Sequence, residues 1–177
     1  MRKYRFTAAA IVLALAATIS AAPSGGGPTL STWGARAAAT DTAMSIDEML
    51  RYAIEDEYFA HAEYAAIMTR FGTVTPFSNI VRSEESHIAW LKEAYAAAGL
   101  SVPKDEAAAL AIAPANLKAA FETGVGAEIE NIAMYDSFLA TSLLAKAENA
   151  SLRALFVRLR DASKNHLSAF KNGLSKY

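Results

Sequence analysis

The chain has 177 residues, of which 53% are hydrophobic and 20% are charged, and 17 Lys and Arg nearly balance 18 Asp and Glu. This composition predicts one packed domain with a substantial core and excludes a disordered chain. The absence of cysteine excludes disulfide bonds, thiolate metal sites and thiol catalysis. The sequence holds no basic patch, so we expect no nucleic-acid partner.

The segment MRKYRFTAAAIVLALAATISAA, residues 1–22, has the pattern of a secretory signal peptide. A basic start precedes an apolar run and an end of small residues. This pattern predicts an exported protein, periplasmic or extracellular, with cleavage near Ala21 or Ala22; an uncleaved membrane anchor is the alternative. No later run is long and apolar enough to span a bilayer, so no membrane contact is expected after cleavage.

The next segment, residues 23–44, is rich in Gly, Pro and Ser and is predicted to be a flexible linker. Ser45 and Glu48 then have the spacing of a capping box, which predicts the start of a helix. Apolar residues follow at helical spacing until Gly72, where we expect this first helix to end.

The rest of the chain predicts three further long helices. Gly124 and Gly126 are expected to break a short helix that precedes the third of the four. Four helices over 45–173 with one long crossover in the middle predict an all-α up-down bundle, and that connection is typical of ferritin-like folds. The predicted elements are a second helix from Thr75 to about Ala98, a connection over 100–124 with a short helix at 117–122, a third helix over 127–147, a fourth from Asn149 or Ser151 to near Gly173, and a tail over 174–177.

Each predicted helix interrupts its apolar face near the middle with an ionisable residue. The third helix offers Glu128 and Glu130, which point to different sides, and we favour Glu130 because it shares a face with Met134. A buried layer of three carboxylates and two imidazoles is unstable without a cation, so this pattern predicts a metal site. Glutamate and histidine ligands suit iron, manganese, zinc or copper. The predicted ligands are Glu57, Glu84, His87, Glu130 and His166.

Three local patterns resemble the rubrerythrin-type domains of the ferritin-like superfamily. Glu57 is followed seven residues later by Tyr64, the segment IVRSEESH over Ile80–His87 ends in Glu-x-x-His, and Glu130 comes shortly before Met-Tyr. Within that superfamily the chain is most similar to an uncharacterised group, a domain of unknown function, over about residues 45–173. The segments that carry this similarity are EDEYFAHAEY, FSNIVRSEESH, GAEIEN and SKNHLSAF.

The resemblance implies a di-metal centre, with iron or manganese as the first expectation, built from Glu on two helices and Glu-x-x-His on the other two. It also implies that Tyr64 and Tyr135 hydrogen-bond the ligand carboxylates; ordinary core packing of both tyrosines is the alternative. Ser163 stands where the family has the bridging Glu of its fourth helix, and we expect it beside the ligands without binding metal itself. Ala133 occupies the place of a second carboxylate on the third helix. One metal, or two held unequally, therefore fits this sequence better than the standard pair.

Three functions remain open at this point. The first is an oxidase or peroxidase that acts on oxygen or peroxide, with no catalytic residue assigned and an external electron donor required. The second is a non-catalytic metal-binding or metal-buffering bundle with a mononuclear site, which the missing carboxylate at Ser163 favours. The third is a structural hydrogen-bonded layer in a partner-binding bundle. A homodimer is compatible with all three.

Overall fold

The computed structural model describes residues 29–177, so the predicted signal peptide lies outside the described residues. Over this range the regular elements are all helical and none is a strand, which confirms the all-α prediction. Among residues 29–177, no helix combines the length and the apolar character needed to cross a bilayer. The helices are α1 (Gly34–Ala38), α2 (Ile46–Phe71), α3 (Phe77–Ala97), α4 (Leu117–Leu139) and α5 (Ala150–Leu174), with short 3-10 turns at Leu30–Thr32, Ala107–Ala109 and Ala147–Asn149.

The start and end of α2 follow directly from its sequence. The Ser45 hydroxyl accepts the main-chain N–H of Glu48 at 3.3 Å, and the Glu48 carboxylate accepts the main-chain N–H of Ser45 at 2.7 Å. This is the predicted capping box. Gly72 ends the helix with a φ of +84°, a conformation that favours glycine.

Helix α4 corrects the predicted break after the long connection. It runs without interruption through Gly124 and Gly126, so the predicted short helix and third helix are one element. Gly124 lies where the ring of Phe170 packs: a Cβ at this position would lie 3.0 Å from ring carbons. The glycine therefore allows close packing of α4 on α5, and packing outweighs its low helix propensity.

The same helix ends at Leu139 and not at the predicted residue Ala147. The chain turns after Leu139, and the Thr141 hydroxyl donates to the carbonyl of Phe138 at 2.8 Å. After this turn Leu144 is fully buried in the core.

Part of the predicted flexible linker is helical and packed, which corrects that prediction for residues 30–38. Trp33 is buried and its indole N–H donates to the main-chain carbonyl of Glu55 at 2.7 Å. The main-chain N–H groups of Gly34 and Ala35 donate to the carboxylates of Glu55 and Asp56. These bonds hold α1 on the side of α2 despite the linker-like composition.

The four long helices pack around one core with a polar layer across its middle. Tyr64 on α2 bonds Glu128 on α4, and Tyr135 on α4 bonds Glu57 on α2, so these helices run antiparallel. The apolar residues form one cluster on each side of this layer. The first cluster includes Tyr135, Phe138 and Phe156, and the second includes Tyr64, Phe77, Phe121 and Phe170.

Candidate metal centre

The polar layer brings together buried carboxylates and imidazoles from all four long helices. Glu57 comes from α2, Glu84 and His87 from α3, Glu128 from α4 and His166 from α5. They form two groups, Glu57–Glu84–His87 and Glu84–Glu128–His166, and in each group one ligand atom per residue lies within 4.8 Å of the others. Glu84 belongs to both groups. Each group can hold a metal ion.

The first group is tightly connected around His87. The Nδ1 atom of His87 lies 2.6 Å from Glu84 Oε2 and 3.0 Å from Glu57 Oε2. Its Nε2 atom lies 3.1 Å from the Ser83 hydroxyl, and the Tyr135 hydroxyl donates to Glu57 Oε1 at 2.8 Å. When Nε2 carries the hydrogen and donates it to Ser83, Nδ1 is free to bind a cation.

The second group has the same kinds of ligand, but the Nδ1 atom of its histidine makes no aligned hydrogen bond. The Nδ1 atom of His166 lies 3.2 Å from Glu84 Oε1 and 3.5 Å from Glu128 Oε1, yet it is buried and makes no hydrogen bond. The Tyr64 hydroxyl donates to Glu128 Oε1 at 2.9 Å. The nitrogen therefore pairs with the two carboxylates by charge, without an aligned hydrogen bond, and a cation between the three atoms would bind all of them directly.

The two groups are arranged as a pair about Glu84. Glu84 Oε2 faces His87, while Glu84 Oε1 faces His166. The two imidazole rings are stacked with their centroids 5.7 Å apart and their planes 22° from parallel. Each group therefore has one oxygen of the shared carboxylate, one further Glu, one His and one Tyr that bonds the further Glu.

The structure brings Glu128 into the polar layer and leaves Glu130, the residue favoured from the sequence, outside it. The Glu130 side chain is 48% exposed and pairs with Arg36 at 3.0 Å, outside the polar layer. Glu128 points inward because α4 buries the face that carries Asn131 and Tyr135. Those residues follow Glu128 by three and seven positions, and this helical spacing was the signal in the sequence.

Ser163 does not contact any of the five clustered residues through a hydrogen bond. It is buried and its hydroxyl donates to the side-chain carbonyl of Asn131 at 2.9 Å. Asn131 in turn donates to Asp56 at 2.6 Å. A serine, an amide and an aspartate from three helices thus form a hydrogen-bonded chain that lines the same cavity as the clustered carboxylates. The sequence prediction missed Asn131 and Asp56.

Charge and burial together perturb the acid–base behaviour of the layer. Burial alone would lower the pKa of His87, but the carboxylates of Glu57 and Glu84 outweigh it and raise the pKa to about 10. Burial alone would also lower the pKa of His166, but the carboxylates of Glu128 and Glu84 outweigh it and raise that pKa to about 9. Burial raises the pKa of Glu57, although His87 acts against it. Burial would also raise the pKa of Glu84, but the two imidazoles outweigh it and lower that pKa. Without a cation, both imidazoles are therefore protonated at neutral pH.

A cavity of about 230 Å³ reaches the carboxylate side of the layer from the surface between α1, α2 and α4. Its inner wall includes Glu57, Glu84 and Glu128, and its outer wall includes Arg36 and Glu130. Neither histidine of the layer lines it. The three carboxylates thus face the cavity and the two imidazoles do not, although His166 keeps 11% of its side-chain surface exposed elsewhere.

The donor set fits iron, manganese or zinc, because oxygen and imidazole ligands without thiolate suit these metals. Comparison of the chain with protein-family models, with curated proteins and with solved structures finds no match. The case for a metal centre therefore depends on the geometry of the described residues.

Proposed function

We propose that this protein binds two first-row divalent cations, iron or manganese by preference, one in each of the two clusters that share Glu84. The observation that carries the proposal is the position of Glu84, whose two oxygens face His87 and His166 separately. A carboxylate placed in this way can bridge two cations. The ferritin-like resemblance of the sequence, with Glu-x-x-His on α3 and a crossover before α4, supports the same assignment.

The charges of the layer support a pair of cations better than a fixed hydrogen-bond network. Buried ion pairs lose much of their attraction to desolvation, and they need complete hydrogen bonding to be stable. Here the Nδ1 atom of His166 lies within ion-pair distance of Glu84 and Glu128 but makes a well-aligned hydrogen bond with neither. Cations would displace the protons of both imidazoles and bind the carboxylates directly, which removes that defect.

We further propose redox chemistry on oxygen or peroxide as the use of these cations. Each cluster supplies one ligand atom from each of only three residues, so a six-coordinate metal has positions left for a small molecule. The cavity described above is lined by Glu57, Glu84 and Glu128, so a small molecule can reach the carboxylate side of both clusters. Bound iron or manganese would supply the electrons, and an external donor would return them, since a chain without cysteine holds no thiolate-ligated electron-transfer cluster. Tyr64 and Tyr135 would hold the two outer carboxylates in place.

Metal buffering without turnover is the second candidate. It is favoured by Ser163, which supplies no carboxylate between the two clusters and so leaves them linked through Glu84 alone. The two candidates share the same ligands. Peroxide consumption by the iron- or manganese-loaded protein in the presence of a chemical reductant separates them.

The binding proposal is tested by counting cations in matched variants. Elemental analysis after reconstitution with Mn²⁺ should give two ions per wild-type chain, and one each in Glu57→Gln and Glu128→Gln, because each change removes a ligand of one cluster. Glu85→Gln is the control, since Glu85 is an exposed neighbour on α3. Equal occupancy in all four proteins would overturn the assignment. Export of the chain remains a separate proposal that depends on the leader pattern alone.

A further inference from the structure

The cavity beside the polar layer is lined by more carboxylates than the two clusters contain. Six carboxylates line it, three of them from the clusters, and the basic side chain in its wall is Arg36. The additional carboxylates are Asp56, Glu63 and Glu130. Asp56 accepts hydrogen bonds from Ala35 and Asn131, and Glu130 pairs with Arg36.

Glu63 differs from Asp56 and Glu130 because one of its carboxylate oxygens has no partner. Its residue is only 7% exposed, and its Oε2 atom is buried with no hydrogen-bond partner among the described residues. It nevertheless lies in the cavity wall, on α2, close to Arg36 and Glu130 of the outer wall. A buried carboxylate without a partner is unfavourable unless it binds a cation or a proton.

Among the described residues Glu63 has no ion-pair partner. Arg36, the basic residue close enough to act on its charge, is held by Glu130 with an Nε–Oε2 distance of 3.0 Å. Tyr64, the next residue along α2, bonds Glu128 of the second cluster. Burial raises the pKa of the Glu63 carboxyl to about 7, so at neutral pH a cation that binds there replaces a proton in part of the molecules. Glu63 lies one residue before Tyr64, whose hydrogen bond orients a cluster ligand.

We propose that Glu63 is a transit ligand for divalent cations: it takes a partly hydrated cation from solvent in this cavity and passes it to the carboxylates of Glu57, Glu84 and Glu128. This inference rests on the proposed function, because it needs the two clusters as the destination. No covalent or redox step is involved, and the cation exchanges water for carboxylate oxygens at each stage.

The test is the rate of cation uptake by the full chain. Stopped-flow mixing of the metal-free protein with Co²⁺, followed by quenching of intrinsic fluorescence, gives the rate, and elemental analysis gives the final occupancy. We expect Glu63→Gln to slow uptake by about tenfold, the lower end of what electrostatic focusing supplies, with two ions still bound at the end. The slowing should shrink at high salt, where charge is screened.

Two variants keep the result interpretable. Glu93→Gln removes an exposed carboxylate on α3 outside this cavity and should leave the rate unchanged. Glu63→Asp keeps the charge and should retain more of the rate than Glu63→Gln, whatever either change does to stability. Equal uptake rates in wild type and Glu63→Gln would overturn this inference and leave the metal centre standing. Failure of the wild type to bind Co²⁺, Mn²⁺ or Fe²⁺ would overturn both.

Discussion

Replacement of Glu84 by Gln tests the shared carboxylate without changing its size. In the folded protein the two oxygens of Glu84 lie 2.6 Å from the Nδ1 atom of His87 and 3.2 Å from that of His166. An amide places a neutral oxygen and an NH₂ group at these points. One of the two imidazoles then faces a donor in place of an acceptor.

The expected effect has two parts, one in the metal-free protein and one in the metal-loaded protein. In the presence of a chelator, removal of one partner from a buried ion-pair array lowers the free energy of unfolding by about 3–5 kcal/mol. A cation at a hundred times its dissociation constant stabilises the wild type by about 2.7 kcal/mol per site, so two sites add about 5 kcal/mol. For a chain of this size, that gain corresponds to a rise in Tm of roughly 10–20 °C. Glu84→Gln should show almost none of this rise.

Differential scanning calorimetry with EDTA and with excess Mn²⁺ measures both parts. Glu85→Gln is the matched control, because it removes the next carboxylate of the same helix from the exposed face and should behave as the wild type does. A Glu84→Gln protein whose Tm rises with Mn²⁺ as much as that of the wild type would refute the role of Glu84 as a shared ligand.

Three further predictions concern the same layer and its packing. Tyr135→Phe removes a buried donor to a carboxylate and should lower the stability of the metal-free protein by about 1–3 kcal/mol, measured by urea unfolding; an unchanged midpoint would contradict the hydrogen bond. Gly173→Ala places a Cβ 2.1 Å from the ring of Phe121 and should cost about 1–3 kcal/mol, whereas Gly126→Ala meets no atom within 4 Å and should not destabilise; thermal melts of both variants decide. The pKa of His87 is raised from 6.5 to about 10, so its contribution to stability is complete below pH 6.5 and is lost as pH rises towards 10. The metal-free protein should therefore weaken over this range in urea titrations, while metal affinity rises; a flat stability profile would contradict the ion-pair array.

Local rules predict much of the fold and of the centre. The capping box at Ser45 and the glycine at position 72 give the bounds of α2 correctly, because both act through bonds within a few residues. The pair Glu84 and His87 follows from the three-residue spacing on a helix. Glu57 and His166 follow from their places in apolar stripes.

The remaining features depend on contacts between distant parts of the chain. Glu128 and Glu130 are two residues apart, and only the packing of α4 decides which of them is buried. Gly124 continues its helix because Phe170 packs against it from another helix. Trp33, Gly34 and Ala35 fix a linker-like segment against α2 through hydrogen bonds to Glu55 and Asp56. Short-range patterns do not decide these long-range contacts, and the spacing from Glu128 to Asn131 and Tyr135 is the one local signal among them.

The most direct test of the central claim is the position of bound metal in a crystal of the full chain grown with Mn²⁺. Anomalous scattering at the manganese edge should give two peaks, one between Glu84, Glu57 and His87, and one between Glu84, Glu128 and His166. Absence of both peaks from the polar layer, with any manganese bound only at the surface, would contradict the proposed centre.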